Sequence, residues 1–534
     1  MLIVLLFTSI VALFSYKRTL RYLHACQQDE YSSSRFLKWF IQNHAYDTRG
    51  TAIIASVLIV STLLPWQWTD VLVSLIGVLA FVIAYIWERD PRQHGKLLLN
   101  MTERAKRILY VCCVFIVAHS IAVICLFWNH TDFAWLGCLA LIQLTPFYLM
   151  ATINILKPQE KSIQKKFMQE AYHHFRKVNP YTIAITGSFG KSSVKNALGD
   201  VMQVTVGSTF WPNHGINTKM GITRHIREYL NIGHAYAIIE MAAYRKGSIA
   251  ALCDFTPPQI GIITAIGAMH LERFGSLETI YEAKTELARA IPDNGTLICN
   301  GDDPGARRAA QEHAKQTTLL YGFDNSQNDL ACHMANIGFS NKGSTFELMW
   351  KDKKYSGQTQ LLGRPALSNL MAVFTASCAL GACPEFVIAA IANIQPMKNR
   401  LSIEKAGNTT YIMDAYNSNP SGFRSALEVL SALGQSRKIL MTPGMVELGQ
   451  LQFEENYKIG QASAAVCDLV LLVGDTNRDA LKRGLLDEGF PAANIKEFNK
   501  RDDAFVALKE LTNDGDTILI ENDLPDLYEH TFGF

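Results

Sequence analysis

The strongest constraint on this chain is where its apolar residues lie. Long apolar runs are confined to the part before residue 157: Leu2–Tyr16, Thr51–Trp68, Val71–Trp87, Ile108–Trp128 and Phe133–Ile155. Several approach the roughly 20 apolar residues that a helix needs to cross a bilayer. The rest of the 534 residues alternates short apolar strands with polar helical patterns. A mean hydropathy of +0.08 averages over these two unlike parts. A chain this long holds roughly three or four domains, and residues 1–156 are expected to form a transmembrane region of about five helices.

Charge placement gives those runs an orientation. Lys17, Arg18, Arg21, Arg35, Lys38 and Arg49 follow the first run, and Arg89, Arg92, Lys96, Arg104, Lys106 and Arg107 lie between the third and fourth. The connections Gln67–Asp70 and Asn129–Asp132 carry no Lys or Arg. By the positive-inside rule both basic segments, and everything after Lys157, face the cytoplasm. Trp66, Trp68, Trp87, Trp128 and Trp135 sit at run ends, as interfacial anchors do. The first run lacks a basic start and a small-residue cleavage site, so it reads as an uncleaved anchor. The expected location is therefore a bacterial-type inner membrane, multi-pass, with catalytic domains in the cytoplasm and membrane lipids as partners. The alternative is a buried helical core. His119 is the most central ionisable group in the runs, and transport paths usually display more.

A net charge of +2 gives no basic surface for nucleic acid. The eleven cysteines include no C-x-x-C pair, so reduced thiols are expected, without structural zinc or a disulfide frame. Residues 157–180 read as a basic amphipathic helix with Ile163, Phe167, Ala171 and Phe175 four apart. It would lie against headgroups or pack as a linker on the next domain.

From Tyr181 the pattern is α/β. Ile183–Thr186, Ala235–Glu240 and Gln259–Ala265 read as buried parallel strands with room for crossover helices between them. A polar stretch from about Tyr321 to Gly363 holds a strand at Thr345–Trp350, and a helix follows over Leu367–Gly381. A second unit has strands Thr410–Asp414, Lys438–Thr442, Leu469–Val473 and Thr517–Glu521. The expected domains are 181–395, a P-loop ATPase-like central domain with a mainly parallel sheet, and 396–534, a Rossmann-like α/β domain.

The string TGSFGKSS, Thr186 to Ser193, lies at a strand-to-helix junction. There the amides of a helix N-terminus favour an anion. Gly190, Lys191 and Ser192 fit the end of the pattern G-x-x-x-x-G-K-S/T, but the first glycine is replaced by Ile185. Lys191 can reach β/γ-phosphates and Ser192 can hold Mg²⁺. On the loop alone, a chance glycine turn is as good a reading. Glu240 ends the next strand, where ligands of open α/β sheets bind, and Mg²⁺ takes carboxylate oxygens together with phosphates. A solvated strand end is the plain alternative. His270 follows a third strand, and Lys284 lies fourteen residues on, in a helical stretch.

Taken in order, these strings resemble the Mur ligases, ATP-dependent amide-forming enzymes of peptidoglycan precursor assembly. The resemblance runs from Tyr181 onward and is closest to the branch that adds D-alanyl-D-alanine. It implies that TGSFGKSS is a short P-loop without the first glycine, with Gly187, Ser188, Gly190, Lys191, Ser192 and Ser193 on ATP. Glu240 resembles the Mg²⁺-binding glutamate, and His270 in H-L-E-R-F-G-S a second-metal histidine. Lys284 in A-K-T-E resembles a lysine carbamylated by CO₂. Asn300 in C-N-G-D-D resembles an adenine-side asparagine, and Asn217 is a weaker match to an asparagine after the P-loop helix. Arg400 in N-R-L and Asp414 in D-A-Y-N-S-N-P resemble the pair that the C-terminal domain brings to ATP. The implied cofactors are ATP, two Mg²⁺ ions and the carbamyl group. The implied catalytic residues are Lys191, Lys284 and His270, and the metal ligands Ser192, Glu240, His270 and Lys284.

The acceptor-side strings depart from that branch. Its G-R-H-N is here GRPALSN, with Pro365 and Ala366 in place of His-Asn, although Asn369 remains. Its G-D-M-x-E-L-G is PGMVELG, with Gly444 at the Asp position, and a histidine further on is Asn456. Its basic K-G-S-R is replaced by ENDLPDLY, Glu521 to Tyr528. Asn417 and Asn419 remain as acceptor contacts or as a turn before Pro420. The expected function is an ATP-dependent carboxylate–amine ligase working through an acyl phosphate, anchored to a membrane. Its substrate would be a UDP-sugar-peptide or a lipid-linked precursor. A poly-γ-glutamate-type synthase and a non-catalytic scaffold of the same fold are the alternatives. A scaffold has no need of Lys191, Glu240, His270 and Lys284 together.

Overall fold

The computed structural model describes residues 2–522 other than 30, 64–68, 95–96, 214, 268, 270–273, 314–316, 327, 398, 416–417 and 447. The chain divides into two compact units that meet in sequence at Lys165 and Lys166.

The first unit is helical. Its helices are α1 (Leu2–Gln28), α2 (Ser33–Gln42), α3 (Thr48–Leu63), α4 (Thr69–Trp87), α5 (Glu103–Leu126) and the start of α6 (Thr131–Val178). Among the described residues, α1, α5 and α6 are long and apolar enough to cross a membrane, whereas the apolar parts of α3 and α4 are shorter. Several of the basic residues used to orient the runs are ion-paired in this unit. α1 runs past the expected end at Tyr16, so Arg18 is fully buried between Asp47 (2.5 Å) and Glu88 (3.1 Å). Arg21 also reaches Glu88, and Arg107 pairs with Glu160. A packed apolar interior surrounds them, with Phe7 stacked on Trp135 at 4.1 Å. The run expected at 133–155 and the basic stretch expected as a separate helix at 157–180 are one helix, α6, which passes through Pro146 and Pro158.

The second unit holds two sheets. The first has nine strands in the order β2-β3-β1-β4-β5-β6-β7-β8-β9. They are β1 (Tyr181–Thr186), β2 (Thr209–Phe210), β3 (Tyr236–Glu240), β4 (Ile260–Ile263), β5 (Thr296–Asn300), β6 (Thr317–Gly322), β7 (Cys332–Ser340), β8 (Gly343–Trp350) and β9 (Lys353–Thr359). Pairing is parallel from β2 to β7 and antiparallel from β7 to β9. The polar stretch expected to hold one strand thus contributes a three-stranded meander. Its side chains alternate in burial, which hides the pattern from a search for apolar runs.

Among the described residues, the helices of this half include α7 (Lys191–Thr205), α8 (Lys219–Tyr229), α9 (Ser248–Phe255), α10 (Leu277–Ala290), α11 (Pro304–Glu312) and α12 (Arg364–Ala379). The core lies between the β1–β5 strands and α7 and α12, with Ile183, Ile185, Leu198, Ile262, Leu370 and Phe374 all at most 1% exposed. Burying such side chains contributes roughly 1.5–3 kcal/mol each.

The second sheet has the order β10-β11-β15-β12-β13-β14. The strands are β10 (Ser402–Ala406), β11 (Thr409–Asp414), β12 (Lys438–Thr442), β13 (Leu469–Val473), β14 (Ile495–Phe498) and β15 (Thr517–Glu521). β10 is antiparallel and the others are parallel. The expected strands β12, β13 and β15 have the observed ends, because an all-buried parallel strand is a short apolar run in the sequence. α13 (Pro384–Ala392) packs on the first core through Val387 and Ile391, whereas α14 (Pro420–Leu433) and α15 (Gln452–Ala464) pack on the second sheet.

Candidate active site

The site forms at the carboxyl ends of the parallel strands. β1 lies centrally, between β3 and β4. Its chain leaves through Gly187–Gly190 and enters α7 at Lys191. Gly187 (φ 152°) and Gly190 (φ 80°) have backbone angles that disfavour a side chain. A Cβ on Gly190 would also strike Asn369 Oδ1, and one on Gly187 would strike Thr264 Oγ1. The α7 N-terminus has glycine as its cap and no capping side chain. Its first amides therefore face outward for an anion.

Two lysines meet at this loop. Lys191 Nζ donates to the carbonyls of Gly187 (2.7 Å) and Ser188 (3.1 Å), and Lys284 Nζ, from α10, donates to Gly187 (2.9 Å). Burial lowers the pKa of Lys191, against the pull of Glu240 and with help from Arg400. Burial lowers Lys284 well below the usual lysine range, and the nearby Lys191 charge adds to the effect. Both shifts disfavour the ammonium relative to an exposed lysine, and the neutral amine is the nucleophilic form.

Glu240 is the second focus. It is the last residue of β3, and it and Lys195 are both 0% exposed. Ser192 Oγ (3.0 Å) and Asn217 Nδ2 (2.9 Å) donate to Glu240 Oε1, and Lys195 Nζ lies 3.2 Å from Oε2. Tyr244 OH in turn holds Asn217 Oδ1 at 3.3 Å. Burial lowers the Lys195 pKa and the adjacent Glu240 opposes that. A carboxylate and a serine hydroxyl side by side form a hard-oxygen donor set that suits Mg²⁺. Lys195 escaped the sequence reading. Its signal was the four-residue step from Lys191, which looks like an ordinary helical surface pair.

The expected residues do not all converge in one place. Gly187, Ser188, Gly190, Lys191, Ser192, Ser193, Glu240 and Lys284 gather around the loop. Asn217 lies on Glu240 instead of lining the cavity described next. Asn300 ends β5 and donates to Ser368 Oγ at 3.4 Å. His270 and Asn417 lie outside the described residues.

Two further groups come from the C-terminal half, Arg400 just before β10 and Asp414 at the end of β11. Arg400 NH1 donates to Ser193 Oγ at 2.9 Å. It stands between two left-handed residues, Asn399 (φ 60°) and Leu401 (φ 45°). Leu401 N–H donates to Asp414 Oδ1 at 3.2 Å. A cavity of about 620 Å³ is lined by Gly190, Ser193, Asn300, Asn369, Arg400 and Asp414 among others.

Glu521 also lines that cavity. It ends β15, in register with Asp414 at the end of β11. Ser418 Oγ donates to Glu521 Oε1 at 2.6 Å. Burial raises Asp414 to about 6, although the Leu401 amide and Arg400 pull it down. Burial also raises Glu521 well above the usual carboxylate range, and the Asp414 charge adds to it.

Residues 185–377 match the Mur ligase middle domain, and residues 399–521 match the Mur ligase glutamate ligase domain. The chain belongs to the Mur ligase family, whose members are ATP-dependent amide-forming ligases. It is 29% identical over 369 residues to the UDP-N-acetylmuramoyl-tripeptide–D-alanyl-D-alanine ligase of Mycobacterium leprae, covering 64% of this chain and 70% of that one. It is 29% identical over 294 residues to the enzyme of that name from Escherichia coli, covering 55% and 64%. Its fold is that of the MurF ligase from Thermotoga maritima solved with ADP, with a TM-score of 0.60 at 21% identity over 67% of this chain and 80% of that one.

The family corrects the expected location. The MurF-type ligases that the chain matches are soluble cytoplasmic enzymes, and nothing shows multi-pass insertion of the N-terminal helices. The basic residues that oriented those helices in the sequence include Arg18, Arg21 and Arg107, which pair with carboxylates inside the helical unit.

Proposed function

We propose that this Mur ligase family member joins a carboxylate to an amine through an acyl phosphate, in the manner of the D-alanyl-D-alanine-adding ligases or a near relative. One observation carries the reading. The Gly187–Ser193 loop, Glu240 and Lys284 meet at one sheet end, and Arg400 reaches Ser193 there from the turn before the second sheet. A carboxylate is a poor electrophile because it is an anion without a leaving group, and phosphorylation by ATP supplies one.

The chain's own groups divide the work. The α7 amides and Lys191 hold the phosphates and offset charge on the transferring phosphoryl. Ser192 and Glu240 are the residues to hold Mg²⁺, with His270 and Lys284 on the second ion. Bound Mg²⁺ would screen phosphate charge and polarise the phosphoryl oxygens. Lys284, whose pKa burial lowers, is suited to take up CO₂ as a carbamate and so become an anion beside the metals. Lys195 supports Glu240 from behind. Asn300, which lines the cavity, would serve the adenine side, as the family resemblance implies. Arg400 and Asp414 arrive from residues 396–534, so closure of that part on 181–395 would complete the site and exclude water from the acyl phosphate. The aligned stretch spans 70% and 64% of the two named relatives, and the acceptor strings differ from their branch. The amine and the carboxylate are accordingly the open variables.

The test is ADP release by the full-length chain with Mg²⁺, bicarbonate, UDP-MurNAc-tripeptide and D-alanyl-D-alanine, with Lys191→Ala as control. Release that needs both substrates and Lys191 supports the reading. Release that persists in Lys191→Ala, or none with any carboxylate and amine pair, overturns it.

A further inference from the structure

Glu240 is held at both of its oxygens by one helix. Ser192 and Lys195 stand three residues apart in α7, a spacing that puts both on one helical face. β3 pairs with β1 beside that face and brings Glu240 level with Ile185. The Ser192 hydroxyl donates to Oε1 at 3.0 Å, and Lys195 Nζ lies 3.2 Å from Oε2. Asn217 adds a second donor to Oε1 at 2.9 Å, and Tyr244 OH donates to Asn217 Oδ1. One oxygen thus faces the serine of the phosphate loop, and the other faces the lysine.

The burial of Lys195 needs a reason. Lys195 and Glu240 are both 0% exposed. Taking two charges out of water costs enough that well-packed apolar side chains in their place are often as stable. Lys195 does not line the cavity, whose wall takes Ser193, Asn196 and Ala197 from α7. Any effect of Lys195 on the reaction therefore passes through Glu240.

The two contacts differ in kind. Ser192 and Asn217 are neutral donors that a metal can displace or share, whereas the contact at Oε2 joins opposite charges in a dry site. A metal beside Ser192 can therefore use Oε1 but not Oε2. Mg²⁺ demands near-octahedral geometry at about 2.0–2.1 Å and takes its remaining ligands from phosphates and water. Ca²⁺ takes roughly six to eight oxygens in flexible geometry and accepts carboxylates through one oxygen or both. A glutamate with both oxygens free would serve either ion.

We propose that Lys195 is a positioning residue that reserves Oε2 of Glu240, so that the site selects Mg²⁺ over Ca²⁺. Selection comes from limiting the carboxylate to one oxygen, and Lys195 itself touches neither metal nor substrate.

The inference deepens the ligase reading and rests on it, and a binding measurement separates the two. The full chain is given Mn²⁺ and the non-hydrolysable ATP analogue AMP-PNP, and bound Mn²⁺ is read from the loss of the free-ion electron paramagnetic resonance signal. Mg²⁺ and Ca²⁺ are then titrated as competitors, and the same titrations on AMP-PNP alone give the nucleotide's own preference. The protein should favour Mg²⁺ over Ca²⁺ beyond that preference. Lys195→Met should shrink the Mg²⁺/Ca²⁺ ratio by roughly tenfold, the lower end of what second-shell changes do to metal affinity. In a Glu240→Gln background the same change should leave the ratio in place. A lysine that only stabilises the fold would lower the melting temperature without moving the ratio. The proposal is overturned if Lys195→Met leaves the ratio unchanged, or shifts it equally in the Glu240→Gln background. It is overturned without any variant if the wild-type chain shows no preference beyond that of AMP-PNP. If the chain binds no Mn²⁺ with AMP-PNP, the ligase reading of the site fails first, and this inference falls with it.

Discussion

Glu240 and Glu521 occupy matching places in two different sheets. Each is the last residue of a parallel strand, each is 0% exposed, and each accepts a hydrogen bond from a serine. Their neighbours differ. Glu240 has the buried Lys195 3.2 Å away, whereas Glu521 has another carboxyl. The difference teaches that burial alone does not set what a strand-end carboxylate does. With a built-in cation it is an ion pair. Beside a second acid, with which it shares a hydrogen bond, it is a holder of protons.

The largest effect should come from the phosphate side of this contrast. Lys191→Ala should lower ADP release by about 10³-fold or more, since removing one donor to a developing charge costs roughly 10²–10³ and here a full charge goes as well. Steady-state turnover at saturating ATP checks it.

Lys195→Met should be the costliest change to the fold near Glu240. Breaking a buried pair by deleting one partner costs about 3–5 kcal/mol. Denaturant unfolding should show that loss, and the double variant Lys195→Met/Glu240→Gln should recover part of it. Equal stability of the single and double variants would mean that the pair is not coupled.

A smaller loss is expected at Gly444, on the acceptor side. Its φ is 77°, and a Cβ would lie 2.6 Å from Asn456 Oδ1. Gly444→Ala should cost roughly 1–3 kcal/mol, read as a lower melting temperature.

The smallest effect has the opposite sign. The folded-state pKa of Asp414 is raised to about 6 and that of Glu521 is also raised. Between the unfolded value near 4 and the folded values, the native chain binds more protons than the unfolded one. Stability therefore falls as pH rises through that window. Glu521→Gln removes one member of the pair and should stabilise the chain at pH 8 by about 1 kcal/mol, with the gain vanishing near pH 4. Melting curves of both proteins across that range decide it. A gain that grows toward low pH would reverse the assignment.

The phosphate half was legible in the sequence because its elements are local. A strand, a glycine loop and a helix start follow one another in TGSFGKSS, and Glu240 and Asn300 each close an apolar run. Lys195 was not legible, since only the fold shows that its side of α7 faces Glu240. The Asp414–Glu521 pair was half visible. The sequence showed an acidic cluster where a basic one was expected, but strands more than a hundred residues apart had to pair in register before the two carboxyls met. The β7–β9 meander escaped because its alternating pattern is weak beside the long apolar runs. The N-terminal helices show another limit. Apolar length and the placement of basic residues suggested an orientation, and only the fold shows that Arg18 pairs with Asp47 and Glu88 inside the helical unit.

Asn456 has a further consequence. Its amide accepts from Met445 N–H (2.8 Å) and donates to Met445 O (3.0 Å), Gln452 O (2.8 Å) and Asn477 Oδ1 (3.2 Å). It clasps the loop after β12 with a group that carries no charge at any physiological pH. In deuterated buffer the Met445 amide, enclosed and bonded in this way, should therefore exchange on the timescale of the neighbouring strand, not of a surface loop. Acidifying the buffer should leave the clasp shut.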